Sequence, residues 1–116
     1  MPKVTILHNP RCSKSRAALA LLAERGIEPQ IIDYLADPPG IEELRNLLRL
    51  LGIGPRELMR REESEYRELG LDDAQLADAE LVAALHAHPR LIQRPIVIAN
   101  GKAVIGRPTQ AILEIL

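Results

Sequence analysis

The residues best suited to chemistry lie close together near the start of the chain: His8, Cys12, Ser15 and Arg16. An unperturbed cysteine has a pKa of about 8.5, so nucleophilic work at neutral pH needs its thiolate fraction raised. Cys12 has three candidate sources of help. It falls just before or at the start of a helix, where unpaired N–H groups and the helix dipole favour an anion. His8, four residues upstream in the same loop, is a candidate donor to the thiolate. Arg16, four residues downstream and one turn into the helix, is a candidate to point back toward it. Ser13 and Ser15 add hydroxyl donors. Each of these residues taken singly has an ordinary structural use: a lone cysteine as a small core residue, a histidine as a cap, an arginine on a solvated helix face. The cluster in a polar turn makes Cys12 the candidate nucleophile.

The elements that must position this loop are legible in the pattern. Val4 to Leu7 is a β-branched and apolar run, a buried first strand. After the polar turn, Ala17, Ala18, Leu21 and Leu22 fall at helical spacing over Lys14 to Arg25, and Gly26 ends the helix. Pro29 to Asp33 reads as a second strand, parallel to the first as in a βαβ unit. The loop then lies at a strand's carboxyl end, where open α/β sheets bind ligands.

Beyond Pro38-Pro39-Gly40, Ile41 to Leu51 is an amphipathic helix with Leu44, Leu47, Leu48 and Leu51 on one face. Glu57 to Leu69 reads as a short helix plus an irregular stretch. Asp72 to His88 reads as one or two helices, with Asp78 capping the second and Pro89 stopping it. Asn100-Gly101 between two β-branched runs signals a hairpin, and a final helix is expected over Pro108 to Leu116. The order is βαβ, a helical insert, then ββα: an α/β fold with a mixed four-stranded sheet. No repeat or linker interrupts the 116 residues, which are read as one domain spanning 1–116.

Bulk properties exclude several functions. Hydrophobic residues make up 47% and charged residues 27%, a globular composition. There is no Phe or Trp, so there is no aromatic platform for stacking exposed bases. The net charge of -1 offers no global field for nucleic acid or an anionic membrane, so any anion site must be local. Twelve of the fifteen basic residues are Arg, whose rigid fork suits bidentate oxyanion binding. One cysteine permits no intramolecular disulfide. The opening Met1 to His8 is too short and polar for a signal peptide, and no apolar run is long enough for a membrane span. A cytoplasmic, reducing location and a monomer are expected. His86 and His88 are two apart and project to different helical faces, so no metal site is expected.

The segment His8-Asn9-Pro10-Arg11-Cys12-Ser13-Lys14-Ser15-Arg16 resembles the active-site loop of the glutaredoxin-coupled arsenate reductases, the ArsC family. So do the Tyr34-Leu35 stretch with Pro38-Pro39, Arg56-Glu57-Leu58-Met59-Arg60-Arg61, Arg94-Pro95-Ile96-Val97 and Gly106-Arg107-Pro108. The resemblance implies a thioredoxin-like (glutaredoxin-like) fold. It implies Cys12 as the residue that attacks arsenate, with His8, Ser15 and Arg16 around it. It implies Arg60, Arg94 and Arg107 as the oxyanion ligands, and Pro95 as a cis proline shaping the loop. Glutathione is implied as co-substrate and glutaredoxin as partner, with no bound cofactor; the role is arsenic detoxification. The chain is expected to be a short member without the C-terminal extension of better-known ones. Arg11 and Arg61 receive no role.

Two other functions use the same residues. A glutathione-dependent thiol–disulfide oxidoreductase, with arsenate a side substrate, would use the same cysteine and loop, but Arg107 has no obvious task there. A redox-sensing regulator of RNA polymerase on this fold would carry a C-x-x-C switch; one cysteine and no basic patch speak against it.

Overall fold

The computed structural model describes residues 4–116, in two compact units: residues 4–37 with Arg94–Leu116, and Pro38–Gln93. Met1, Pro2 and Lys3, part of the opening stretch judged unlike a signal peptide, lie outside the described residues.

The first unit is built on a four-stranded sheet ordered β2-β1-β3-β4. It comprises β1 (Val4–His8), α1 (Ser13–Glu24), β2 (Gln30–Asp33), β3 (Ile96–Ala99), β4 (Lys102–Ile105) and a closing 3-10 helix (Thr109–Ile115). β1 pairs in parallel with β2, with His8 opposite Asp33, and antiparallel with β3, with Leu7 opposite Ile96. β3 and β4 form the expected hairpin, with Ile96 opposite Ile105. Its turn places Asn100 at φ 54° and Gly101 at φ 72°, the left-handed pair that a two-residue turn needs and that Asn-Gly adopts at least cost. Val4, Ile6, Ala18, Leu22, Val97, Ala99, Ile112 and Ile115 form the core. Strand residues alternate toward it and α1 contributes residues four apart, so both periods of the sequence meet in one cluster.

The last element departs from expectation. It is a 3-10 helix, not an α-helix. Its buried residues, Ile112 and Ile115, are three apart, which aligns them on one edge of a helix with three residues per turn.

The second unit is the helical insert: α2 (Ile41–Leu51), α3 (Ser64–Glu68), α4 (Asp78–Ala87) and a 3-10 turn (Pro89–Leu91). α2 has the predicted span and buries Leu44, Leu47 and Leu48. Glu43 Oε1 accepts from the Gly40 N–H at 3.3 Å, an acidic side chain satisfying a donor at the helix start. Residues 72–77 form turns, because the Asp73 carboxylate takes the Gln75 N–H at 2.9 Å and competes with helical bonding. Ala77, not Asp78, occupies the cap of α4, and Glu80 reaches back to its N–H at 3.5 Å. Arg56 staples the irregular stretch: Nη1 donates to the Tyr66 hydroxyl at 2.7 Å and Nη2 to the Asp73 carbonyl at 2.9 Å. Among the described residues no helix is long and apolar enough to cross a membrane.

Candidate active site

Cys12 is the N-cap of α1, with extended backbone dihedrals of −94° and 123°. Its own N–H donates to the Asn9 carbonyl at 3.0 Å, and its carbonyl accepts the first helical bond, from Arg16, at 3.1 Å. At this position a side chain faces the unpaired N–H groups of the second and third helical residues, here Lys14 and Ser15. Neither closes a capping hydrogen bond of ordinary geometry on the sulfur, yet both act on it as polar contacts that favour the thiolate.

Strand pairing supplies the rest. β1 ends beside the start of β3, so the Cys12 loop lies next to Arg94 and Pro95. The β3–β4 hairpin then returns the chain to that place, setting Gly106 and Arg107 beside the same pair. The Gly106 N–H donates to the Pro95 carbonyl at 2.8 Å. A Cβ on Gly106 would lie 2.9 Å from Pro95 Cγ and 3.2 Å from Ile112 Cδ1, so only glycine lets these ends approach so closely. The Arg94–Pro95 bond is cis, as the resemblance implied, and so is Arg107–Pro108.

Both arginines bear on the thiol. Arg107 Nε donates to the Arg94 carbonyl at 2.7 Å, which turns its Nη2 toward Cys12 Sγ at 3.7 Å. The Arg94 guanidinium acts on the sulfur as a polar contact and a charge that favour the thiolate, and its Nε is buried with no hydrogen-bond partner among the described residues. Burial pushes the Cys12 thiol up. The Ser15 N–H, the Arg94 guanidinium contact, the Lys14 N–H and the Arg94 charge outweigh that, and the pKa falls to about 7. At neutral pH about half of Cys12 is then thiolate, against a few per cent for a free thiol.

Three expected neighbours act differently from expectation. Ser15 is fully buried, and its hydroxyl oxygen accepts from the Asn9 N–H at 3.3 Å; its help to the thiolate comes through its backbone N–H, not its hydroxyl. Arg16 does point back, but to the Pro10 carbonyl at 3.3 Å, so it ties down the loop instead of contacting the sulfur. His8 makes no hydrogen bond to Cys12, and its buried Nδ1 has no partner among the described residues. Burial lowers its pKa despite Asp33, which raises it, and Arg16 lowers it further, so the ring is neutral at pH 7 and supplies no cation.

The structure therefore brings together Cys12, Arg94, Arg107 and Pro95. Arg60 lies in the second unit, in the turn after Met59, which bridges to Ile92. Its N–H donates to the Leu91 carbonyl at 2.7 Å, and its guanidinium pairs with Glu63 and, at 3.7 Å, with Glu62. Sequence reasoning missed Asn9, whose Oδ1 accepts the Arg11 N–H at 3.0 Å and shapes the loop. It also missed Glu63, although the three-residue spacing from Arg60 was a usable signal.

A family model described as the ArsC family matches residues 7–115. The chain is 50% identical to an arsenate reductase of Neisseria meningitidis serogroup A over the full length of both. It is 51% identical to a protein of Escherichia coli strain K12 named as uncharacterized YfgD, across 98% of this chain and 97% of that one. Among solved structures, an arsenate reductase from Vibrio cholerae superposes with a TM-score of 0.96 at 53% identity, covering 98% of each chain.

Proposed function

The chain belongs to the ArsC family, and on that footing we propose that it is an arsenate reductase in which Cys12 is the nucleophile and Arg60, Arg94 and Arg107 hold the oxyanion. The observation that carries this reading is the convergence of Arg94 and Arg107 on a thiol titrating at about 7. A cation beside a thiolate lowers its pKa. Two forked cations beside the same sulfur also match a tetrahedral oxyanion placed for attack.

In this mechanism the Cys12 thiolate bonds to arsenic. One arsenate oxygen takes up protons and leaves as water, giving a thiol–arsenate adduct with arsenic still As(V). The arginines neutralise the anion and stabilise charge developing on its oxygens. Reduction to arsenite needs two electrons, and this chain's single cysteine cannot supply them as a disulfide. Glutathione attacks arsenic in the adduct and displaces a second oxygen as water; the glutaredoxin thiolate then attacks the glutathione sulfur, the S–As electron pair stays on arsenic, and hydrolysis of the Cys12–As(III) bond releases arsenite and the free thiol. Two thiols are thereby oxidised as As(V) becomes As(III). The cycle calls on no bound metal or organic cofactor. It requires a reducing compartment, which agrees with a cytoplasmic location.

The test is arsenate turnover with glutathione and glutaredoxin. Cys12→Ser should abolish it, a loss of at least about 10³-fold. Arg107→Ala should lower kcat/KM by about 10²-fold. Full turnover by Cys12→Ser rules out this mechanism.

A further inference from the structure

Arg60 opens a turn, Arg60-Arg61-Glu62-Glu63, that sets two carboxylates beside its guanidinium. Its Nη1 donates to Glu63 Oε1, three residues on. Glu63 is held from its other side, with Arg90 Nη2 3.8 Å from its Oε2, and Arg90 in turn reaches Glu65 Oε1 at 3.6 Å. The Glu63 N–H donates to the Arg60 carbonyl at 3.2 Å, which closes the turn beneath the pair. The two side chains are only 16% and 20% exposed, so water screens their attraction less than it does that of a surface pair. Glu62, 69% exposed and 3.7 Å from Nε, adds only a screened pull. Arg60 Nη2 carries no hydrogen bond to the described residues.

We propose that Glu63 is the positioning residue for Arg60: it fixes the guanidinium by Nη1 and leaves Nη2 available to an oxyanion. This rests on the reading of Arg60 as an oxyanion ligand. An arginine stem free in solvent must be immobilised when the anion arrives, at a cost in rotamer freedom. Glu63 has immobilised it beforehand. The same carboxylate offsets part of the Arg60 charge, so its contribution to anion binding is placement and not field strength.

The experiment is steady-state arsenate reduction by the full chain carrying Glu63→Ala, Glu63→Gln, Arg60→Ala, or Glu63→Ala with Arg60→Ala. Glu63→Ala should raise KM for arsenate about tenfold and change kcat by less than about threefold. Glu63→Gln keeps an acceptor for Nη1 and should stay within about threefold of the wild-type KM. In the double variant Glu63→Ala should add nothing to the effect of Arg60→Ala. If Glu63→Ala unfolds, Glu63→Asp, a methylene shorter, replaces it and should give an intermediate KM. An unchanged or lowered KM in Glu63→Ala (or its Asp substitute), or an additive loss in the double variant, overturns the positioning role. A raised KM in Arg60→Ala would still leave the oxyanion reading standing. No arsenate turnover by the wild-type chain, or no effect of Arg60→Ala on KM, removes that reading and the proposal with it.

Discussion

Arg107 and Arg60 are held in opposite ways. Arg107 is fixed by a backbone carbonyl, a neutral dipole that orients Nε and leaves the guanidinium its full charge. Arg94 beside it keeps a buried Nε with no partner among the described residues, and its charge acts on the sulfur. Arg60 is fixed by carboxylates, which orient it equally well but offset its charge. An uncompensated cation lowers a thiol pKa, and a compensated one places a donor without adding to the field. In the proposed function the Cys12 loop would activate the nucleophile and the Arg60 turn would hold a donor in place.

The sharpest way to break this contrast is to remove the uncompensated charge. Arg94→Ala should raise the Cys12 pKa from about 7 toward its ordinary value, because the thiolate loses both a polar contact and a neighbouring cation. The rate of iodoacetamide alkylation against pH reads this directly, and arsenate kcat/KM should fall about 10²-fold. An inflection still near 7 in that variant would show that the helix amides suffice and the contrast is empty.

A smaller effect tests the hairpin ends that hold Arg94 and Arg107 together. Gly106→Ala drives a Cβ against Pro95 and Ile112 and should cost about 1–3 kcal/mol of stability by chemical denaturation. A neutral outcome would mean these ends give way easily and do not fix the arginines.

The smallest effect is linkage. Cys12 titrates lower in the folded chain, at about 7, than in the unfolded chain, at about 8.5. A group whose pKa falls on folding contributes stability that is complete above the unfolded value and disappears as pH drops through the folded one. Wild type should therefore gain on Cys12→Ser as pH rises from about 7 to about 8.5. Parallel stability curves for the two proteins would deny the thiolate its stabilising contacts.

The alternating strands, the Asn100-Gly101 turn and the span of α2 were legible because each depends on neighbours in sequence: side-chain period, a left-handed pair, a leucine face. The place of Cys12 at a helix start was legible for the same reason. The turns over residues 72–77 and the 3-10 form of the last helix were not, since there a side-chain acceptor and the spacing of two buried isoleucines outweighed local propensity.

By itself the sequence determined that this chain has one cysteine, that this cysteine follows a strand at the start of a helix, and that any disulfide it forms must be with another molecule. Only the tertiary structure decided what the thiol meets. Arg94 and Arg107 are far from Cys12 along the chain and reach it because β3 lies antiparallel beside β1 and the hairpin returns on itself. His8, Ser15 and Arg16, the residues near Cys12 in sequence, turned out to serve the loop or the core through buried or backbone-directed side chains. Sequence proximity sets which groups are near along a helix or loop. Whether a donor points at a sulfur or a carbonyl is settled by pairing and burial across the whole sheet.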